Sequence, residues 1–266
     1  MESRYQPFQR YWRDWATKLS VPIERMASRL RFPTFLDEIG NGQGVFELKP
    51  PYPICIYNAP QKGASTKRGS SHRQTIFIDG SFHLNLSDNA PFLEHGKASI
   101  SFFDTRSAQG GTYELDEVDA VHFDMELSNQ PSPYHPIFHA QRDTSNKLTD
   151  DMIREAVAMM AKADPKQVNV RRNPQLGTHH LRLPTPQMDL FAVFTMVIAD
   201  FFCTGGDKDT TQFESILEHL THTSNAAREG VAARSLSGLA HGAHTCPAHW
   251  YPEYSRVAVR ARLDQR

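Results

Sequence analysis

The sequence predicts an α+β protein with a central, mainly antiparallel sheet, formed by about residues 45–141 and a C-terminal strand and covered by N-terminal and C-terminal helices. Period-two alternation of apolar and polar residues is concentrated in the middle of the chain, whereas helical spacing dominates both flanks. A doubly wound parallel sheet requires strands that alternate with helices, and the sequence does not show that alternation. The chain has 266 residues, 39% of them hydrophobic, which is enough for one core, so we expect a single domain over residues 1–266.

Residues 1–43 are predicted to form a helical N-terminal segment. Aromatic and apolar residues recur there at helical spacing, with basic residues between them: Phe8, Tyr11, Trp12, Trp15 and Leu19. This stripe is typical of a helix docked on the core, since large aromatic side chains usually pack inside a protein. The alternative is that the stripe supplies exposed anchors for a protein partner.

Residues 44–141 are the predicted β-rich core, in which consecutive strands form an antiparallel meander. Strands are predicted as a pair within residues 44–57, a long strand over 75–86, and later strands over 99–103, 121–127 and 137–141. Before the long strand, residues 59–73 are small, polar and basic, which predicts a loop. The sheet is therefore expected to be built from strands that follow one another in the chain.

Residues 142–250 are predicted to be mainly helical. Thr149 is a good N-cap for a first helix, and Thr185 followed by Pro186 is expected to open a second, strongly apolar helix. Alternation returns at residues 254–264, which are predicted to form the closing strand.

The charge, the cysteines and the N-terminus bear on the compartment. The net charge of −1 excludes a chain that is strongly basic as a whole. Cys55, Cys203 and Cys246 are odd in number and form no CxxC pair, which favours a reducing environment. No apolar leader is recognisable at the N-terminus, and the apolar run of residues 190–203 is too short to span a bilayer. We therefore expect a cytoplasmic protein without membrane contact.

A row of histidines and acids is the first candidate site. His122, Asp124 and Glu126 alternate along one predicted strand, so their side chains share one face of the sheet. Imidazoles and carboxylates are suitable ligands for a divalent transition metal. The predicted ligands of zinc or manganese are His122, Asp124, His135 and His139, and the predicted general base is Glu126. The same alternation is also typical of the solvent-facing side of a sheet, and the density of histidine is what favours a site.

A tract near the C-terminus is the second candidate, with the zinc-binding residue types His241, His244, Cys246 and His249. The intervals are too short for one tract to supply all four ligands of a tetrahedral ion without strain. A loop between the last helix and the closing strand is therefore the favoured interpretation.

Basic residues in several stretches are the third candidate, as contacts for a phosphate backbone. The predicted nucleic-acid-binding residues are Lys62, Lys67, Arg68, Arg73, Arg171 and Arg172. Since the net charge is close to zero, scattered and solvated basic side chains are the simpler competing interpretation.

Two functional interpretations follow, because no P-loop, GxGxxG, GxSxG or CxxC motif directs the choice. The first, narrowly preferred from the sequence, is a non-catalytic binding or assembly subunit. It would contact nucleic acid through basic loops and a protein partner through the aromatic N-terminal helix, and it requires no cofactor. The alternative is a metal-dependent hydrolase, such as a phosphodiesterase or nuclease, that uses the histidine and acid cluster.

Overall fold

The computed structural model describes residues 6–40, 45–60, 73–85, 93–108, 110–126, 138–142, 148–176, 182–185, 188–203 and 211–216. In chain order the elements are α1 (Gln6–Arg25), β1 (Arg29–Arg31), β2 (Asp37–Gly40), β3 (Val45–Lys49), β4 (Ile54–Pro60), β5 (Arg73–Asn85), β6 (Leu93–Ser107), β7 (Tyr113–Glu126), β8 (Phe138–Arg142), α2 (Asp150–Ala161), a 3₁₀ turn (Pro165–Gln167), β9 (Val168–Arg171), β10 (Arg182–Pro184) and α3 (Leu190–Phe202). Residues 211–216 are also helical. None of the helices in these ranges combines the length and hydropathy that a membrane crossing requires.

The strands of the described residues form one ten-stranded sheet, with the main order β1-β4-β5-β6-β7-β8-β10. Its spine is β5, β6 and β7, which are 13, 15 and 14 residues long. Because the outer spine strands are long, each pairs with two short strands on its outer side. These are β4 and β3 beside β5, and β8 and β9 beside β7. Among the described strands, the pairing of β9 with β7 alone is parallel, so the predicted α+β class with a mainly antiparallel sheet is confirmed.

One face of the sheet packs against α1 and α3. Trp12, Trp15 and Leu19 of α1 are buried in a cluster with the apolar face of α3 and with Ile76 and Ile78 of β5. Each such side chain contributes about 1.5–3 kcal/mol when it is fully removed from water. These three members of the predicted stripe are therefore part of the core.

The opposite face, here called the site face, has two different ends. At one end, the α2 end, Phe77, Phe103 and Leu115 pack against Ile153 and Val157 of α2. Thr149 caps this helix as predicted, since its side-chain oxygen accepts a hydrogen bond from Met152 N–H at 3.3 Å. The other end of the site face carries polar side chains and is called the histidine end; its members are Lys97, His122, Asp124 and His139.

A bulge in β7 lies between these two ends. Phe102 pairs with Asp119, but Phe103 pairs with Glu117, so Val118 has no partner across the ladder. An extra residue of this kind reverses the alternation of side chains beyond it. Glu117 before the bulge and His122 after it consequently lie on the same face although their numbers differ in parity.

Four short strands lie in segments that were expected to be mainly helical. β1 and β2 fall within residues 1–43, and β9 and β10 fall within residues 142–250. Each has three or four residues, which is too short to show period-two alternation in the sequence. Their extended form is stabilised by pairing with longer neighbours, a tertiary effect that local sequence does not reveal.

The start of α3 also differs from the expectation of a helix opened by Thr185 and Pro186. The helix begins at Leu190, and Asp189 is its N-cap, because its carboxylate accepts a hydrogen bond from Ala192 N–H at 3.0 Å. The predicted closing strand at residues 254–264 lies outside the described residues, as does the tract at residues 241–249.

Candidate metal centre

Three adjacent strands position the side chains of the histidine end. In β7, His122 and Asp124 point to the site face because they are two residues apart. Asp124 lies directly opposite His139 of β8 and, on its other side, opposite Lys97 of β6. Antiparallel pairing brings directly opposed side chains to within about 4.5–5.5 Å at Cβ, so these residues meet without help from a loop.

The ligand-type atoms converge on one carboxylate oxygen. His122 Nε2 lies 3.3 Å from Asp124 Oδ2, and His139 Nε2 lies 3.6 Å from the same oxygen. The two imidazole rings are nearly perpendicular, with centroids 6.3 Å apart. One ligand atom from each of the three residues can be chosen so that all lie within 4.8 Å of one another.

These separations fit the donor set of a transition metal. In a tetrahedral zinc site with bonds of 2.0–2.1 Å, neighbouring ligand atoms are about 3.3 Å apart. The measured distances from Asp124 Oδ2 to the two ring nitrogens, 3.3 and 3.6 Å, are close to that value. Two imidazoles and one carboxylate are also a donor set common to zinc, manganese and iron sites.

The electrostatics keep Asp124 in the form that binds a cation. Burial alone would raise the pKa of the Asp124 carboxyl. The hydrogen bond from His122 and the charges of Lys97, His122 and His139 lower this pKa by more than burial raises it. The resulting pKa lies below the ordinary value of an aspartate. Asp124 is consequently ionised at neutral pH, as a metal ligand must be.

Burial differs strongly across the histidine end. The side chain of His139 is only 3% exposed, and those of His122 and Asp124 are partly buried. The side chain of Lys97 is 47% exposed, and its Nζ lies 3.9 Å from Asp124 Oδ1. Solvent therefore reaches this group of residues most freely at Lys97.

Lys97 is the site residue that sequence reasoning missed. The corresponding strand was expected to begin at Ser99, whereas β6 begins at Leu93 and includes Lys97. Extending the alternation of Ser99 and Ser101 back by one step would have placed Lys97 on the same face. Its position opposite Asp124 depends on strand register, which the local sequence does not show.

A second polar group lies beside this centre. His83 of β5 has its Nε2 3.6 Å from Glu47 Oε1 and 3.3 Å from Ser81 Oγ. Ser81 and Glu47 approach the same ring nitrogen, so they do not form a relay in which the acid orients the far side of the imidazole. His83 is not part of the ligand group formed by the described residues.

Other predicted site residues fall partly or wholly outside the described residues. The backbone of Glu126 ends β7 opposite His95, but its side chain is not among those described. His135 and the basic residues Lys62, Lys67 and Arg68 lie entirely outside the described ranges. Their predicted roles stay predictions.

The remaining basic candidates form ion pairs or hydrogen bonds within the fold. Arg171 contacts Glu114 at 2.7 Å and Asp116 at 3.4 Å. Arg172 forms ion pairs with Glu117 at 3.1 Å and with Asp150 at 2.8 Å. Arg73 donates a hydrogen bond to the carbonyl oxygen of Asn58. The charge of Arg171 and Arg172 is thus balanced by neighbouring carboxylates.

Comparisons with protein-family models, with curated proteins and with solved structures find no match for this chain.

Proposed function

We propose that the protein is a metal-dependent hydrolase whose divalent ion is bound by His122, Asp124 and His139. The observation that carries the proposal is the convergence of two imidazole nitrogens on one carboxylate oxygen, at 3.3 and 3.6 Å. His139 is almost fully buried, unlike the side chains of a solvated sheet face, and its ring nitrogen points at the same oxygen as that of His122. A metal site requires such convergence of its ligands.

The number of ligands among the described residues, which is three, favours catalysis over a purely structural ion. Catalytic zinc sites have three protein ligands and keep a position for water, whereas structural sites are closed by four. A bound divalent ion acts as a Lewis acid and lowers the pKa of a coordinated water, which supplies a nucleophile at neutral pH. In hydrolysis the water oxygen bonds to the phosphorus or carbonyl carbon, the ester bond breaks, and the leaving oxygen takes up a proton. Glu126 is the residue proposed to accept the proton from water.

The binding-subunit interpretation has less support from the described residues. Trp12 and Trp15 are buried in the core and do not form an exposed aromatic anchor. Arg171 and Arg172 are paired with carboxylates. The nucleic-acid contacts of that interpretation depend on Lys62, Lys67 and Arg68, which lie outside the described residues, so the metal centre has the stronger case.

Metal binding is the first test. Purified protein should bind close to one zinc, manganese or cobalt ion per chain, measured by elemental analysis and by the visible spectrum of added cobalt. His122→Gln, Asp124→Asn and His139→Asn should each lower the affinity by more than about 100-fold, since loss of supporting residues alone typically costs 10–100-fold. His83→Asn is the matched control, a histidine on the same face outside the ligand group. His135→Ala tests the further ligand predicted from the sequence.

Hydrolysis is the second test. Metal-loaded protein should cleave bis(p-nitrophenyl) phosphate or p-nitrophenyl acetate, and chelation should abolish the activity. Glu126→Gln should retain the metal but lose turnover by about 100-fold or more, the usual contribution of a general base. Wild-type protein that binds no metal, or that binds it and cleaves neither ester, contradicts the proposal.

A further inference from the structure

We infer that Lys97 is the anion-recognition residue of this centre, and that the substrate presents an oxyanion to Lys97 and to the metal together. The inference rests on the proposed function and deepens it, because it assigns the substrate class. The oxyanion belongs to a phosphate ester or a carboxylate, two chemistries that share charged oxygens as their recognisable feature.

The position of Lys97 is the first argument. Lys97 lies in β6 between Ser81 of β5 and Asp124 of β7, directly opposite both. Its Nζ approaches Oδ1 of Asp124, whereas both histidines approach Oδ2. The ammonium group therefore borders the centre without competing for the oxygen that the imidazoles surround.

The length of the contact is the second argument. At 3.9 Å, the distance from Lys97 Nζ to Asp124 Oδ1 is longer than the 2.7–3.2 Å of an N–H···O hydrogen bond. Other cations in or next to the sheet reach full hydrogen-bond distance to a carboxylate: Arg142 and Arg171 both do so at 2.7 Å, and Arg172 does so at 2.8 Å. Lys97 has a flexible stem and a compact charge, so it can turn toward an incoming group without breaking a short bond.

The combined charge of the metal centre and Lys97 is the third argument. A divalent ion held by two neutral imidazoles and one carboxylate leaves an excess of about one positive charge, and Lys97 adds another. A bound ion also draws charge from Asp124 and so weakens its attraction for Lys97. An anionic substrate group is the natural complement of these two cations, and a cationic substrate is disfavoured.

Access is the fourth argument. Lys97 is the most exposed member of the histidine end, with 47% of its side chain accessible, whereas His139 is almost fully buried. A substrate that arrives from solvent meets the ammonium group first. A lysine that served only to pair with Asp124 would gain little from such exposure, because exposed ion pairs contribute about 0–1 kcal/mol.

The experiment uses the full chain loaded with cobalt, and inorganic phosphate and acetate as probes. Anion binding is followed by the shift of the cobalt spectrum in wild type, Lys97→Met, Lys97→Arg and the control Lys166→Met, which removes an exposed lysine of the 3₁₀ turn. Lys97→Met should weaken binding of the preferred anion about tenfold, the loss expected for one charge-assisted hydrogen bond, while cobalt affinity stays within about threefold. Lys97→Arg should restore most of the binding, and Lys166→Met should change neither affinity. The probe that binds more tightly identifies phosphate or carboxylate as the group recognised.

The outcomes separate the two proposals. Failure of wild type to bind cobalt overturns both the metal centre and the role of Lys97. Cobalt binding without any effect of either anion, or with equal anion affinity in wild type and Lys97→Met, overturns the role of Lys97 and leaves the metal centre standing. Loss of cobalt from Lys97→Met shows that Lys97 supports Asp124 structurally, which also overturns the inference.

Discussion

Glu117 and Asp124 lie on the same strand and the same face of the sheet, yet their surroundings differ. At the α2 end, the fully buried side chain of Glu117 accepts a hydrogen bond from Arg172 at 3.1 Å and another from Asn173 N–H at 3.1 Å. At the histidine end, Asp124 faces two imidazole nitrogens at 3.3 and 3.6 Å and a lysine at 3.9 Å. Both are acids, but their partners have different chemistry.

The partners around a carboxylate distinguish one that only supports the fold from one suited to bind a metal. The donors to Glu117 are a guanidinium and a backbone N–H, and neither of them offers a lone pair to a metal ion. The partners of Asp124 are imidazoles, and a neutral imidazole offers a ring-nitrogen lone pair to a metal. The kind of nitrogen near the carboxylate, and not its burial, makes the histidine end the candidate metal centre.

The bulge at Val118 is the feature that places the two ends on one face, and deleting Val118 should have the largest effect. Without it, strict alternation would send either Leu115 and Glu117 or His122 and Asp124 to the wrong side of the sheet. We expect the deletion variant to lose its cooperative thermal transition, measured by circular dichroism. Val118→Ala, which keeps the residue count, should change stability by no more than about 0.5 kcal/mol because Val118 is exposed.

A deletion variant that melts cooperatively and still binds cobalt would show that the register of β7 adjusts without the bulge. In that case the bulge is not what places Glu117 and Asp124 on the same face of the sheet.

The α2 end should be sensitive to Arg172 and the histidine end should not. Arg172→Met removes the guanidinium partner of the buried Glu117 carboxylate and should lower the free energy of unfolding by on the order of 3 kcal/mol. Arg171→Met removes a neighbouring arginine that is 65% exposed and should cost less than about 1 kcal/mol. Urea unfolding measures both, and cobalt affinity should be unchanged in both variants. Equal costs for the two variants, or weaker cobalt binding in Arg172→Met, would remove the distinction between the two ends.

Much of the fold could be predicted from the sequence because its signals are local. The helical stripe of Trp12 and Trp15, the cap at Thr149 and the alternation around His122 each depend on a few neighbouring residues. The cap of α3 was misplaced because Thr185 followed by Pro186 is a stronger local signal than Asp189, the residue that caps the helix. Thr and Asp are both favourable N-caps, so the local sequence does not show which of the two residues begins the helix.

The site was predictable only in part, for a physical reason. The shared face of His122 and Asp124 follows from their spacing, but the approach of His139 and Lys97 depends on which strands pair and in which register. Register is set by the burial of a whole face and by bulges such as that at Val118, and neither is visible in a short window of sequence.

Asp189 allows a smaller test of what supports the histidine end from the opposite face. Asp189 caps α3, and the next residue, Leu190, packs closely on Gly80 of β5. A Cβ added at Gly80 would lie 2.9 Å from Leu190 Cδ2 and 2.1 Å from the carbonyl oxygen of Lys97 on the neighbouring strand β6. Asp189→Ala should lose about 1 kcal/mol of unfolding free energy with the cap. Asp189→Asn keeps the acceptor for Ala192 N–H and should be as stable as wild type at pH 7, or slightly more so.

The pH dependence of stability gives the sign of this effect. Burial raises the pKa of the Asp189 carboxyl above its ordinary 3.8, although hydrogen bonds from backbone N–H groups partly oppose the shift. Between 3.8 and the raised value the folded state binds more protons than the unfolded state, so the Asp189 contribution to stability falls as pH rises. Urea unfolding from pH 4 to 7 should show that Asp189→Asn removes this decline.

Retention of the full decline in Asp189→Asn would assign the decline to another group and leave the Asp189 carboxylate as an ordinary cap. If Asp189→Asn loses the decline and keeps its cobalt affinity, strand pairing within the sheet holds the ligand geometry independently of the charge of Asp189 on the opposite face.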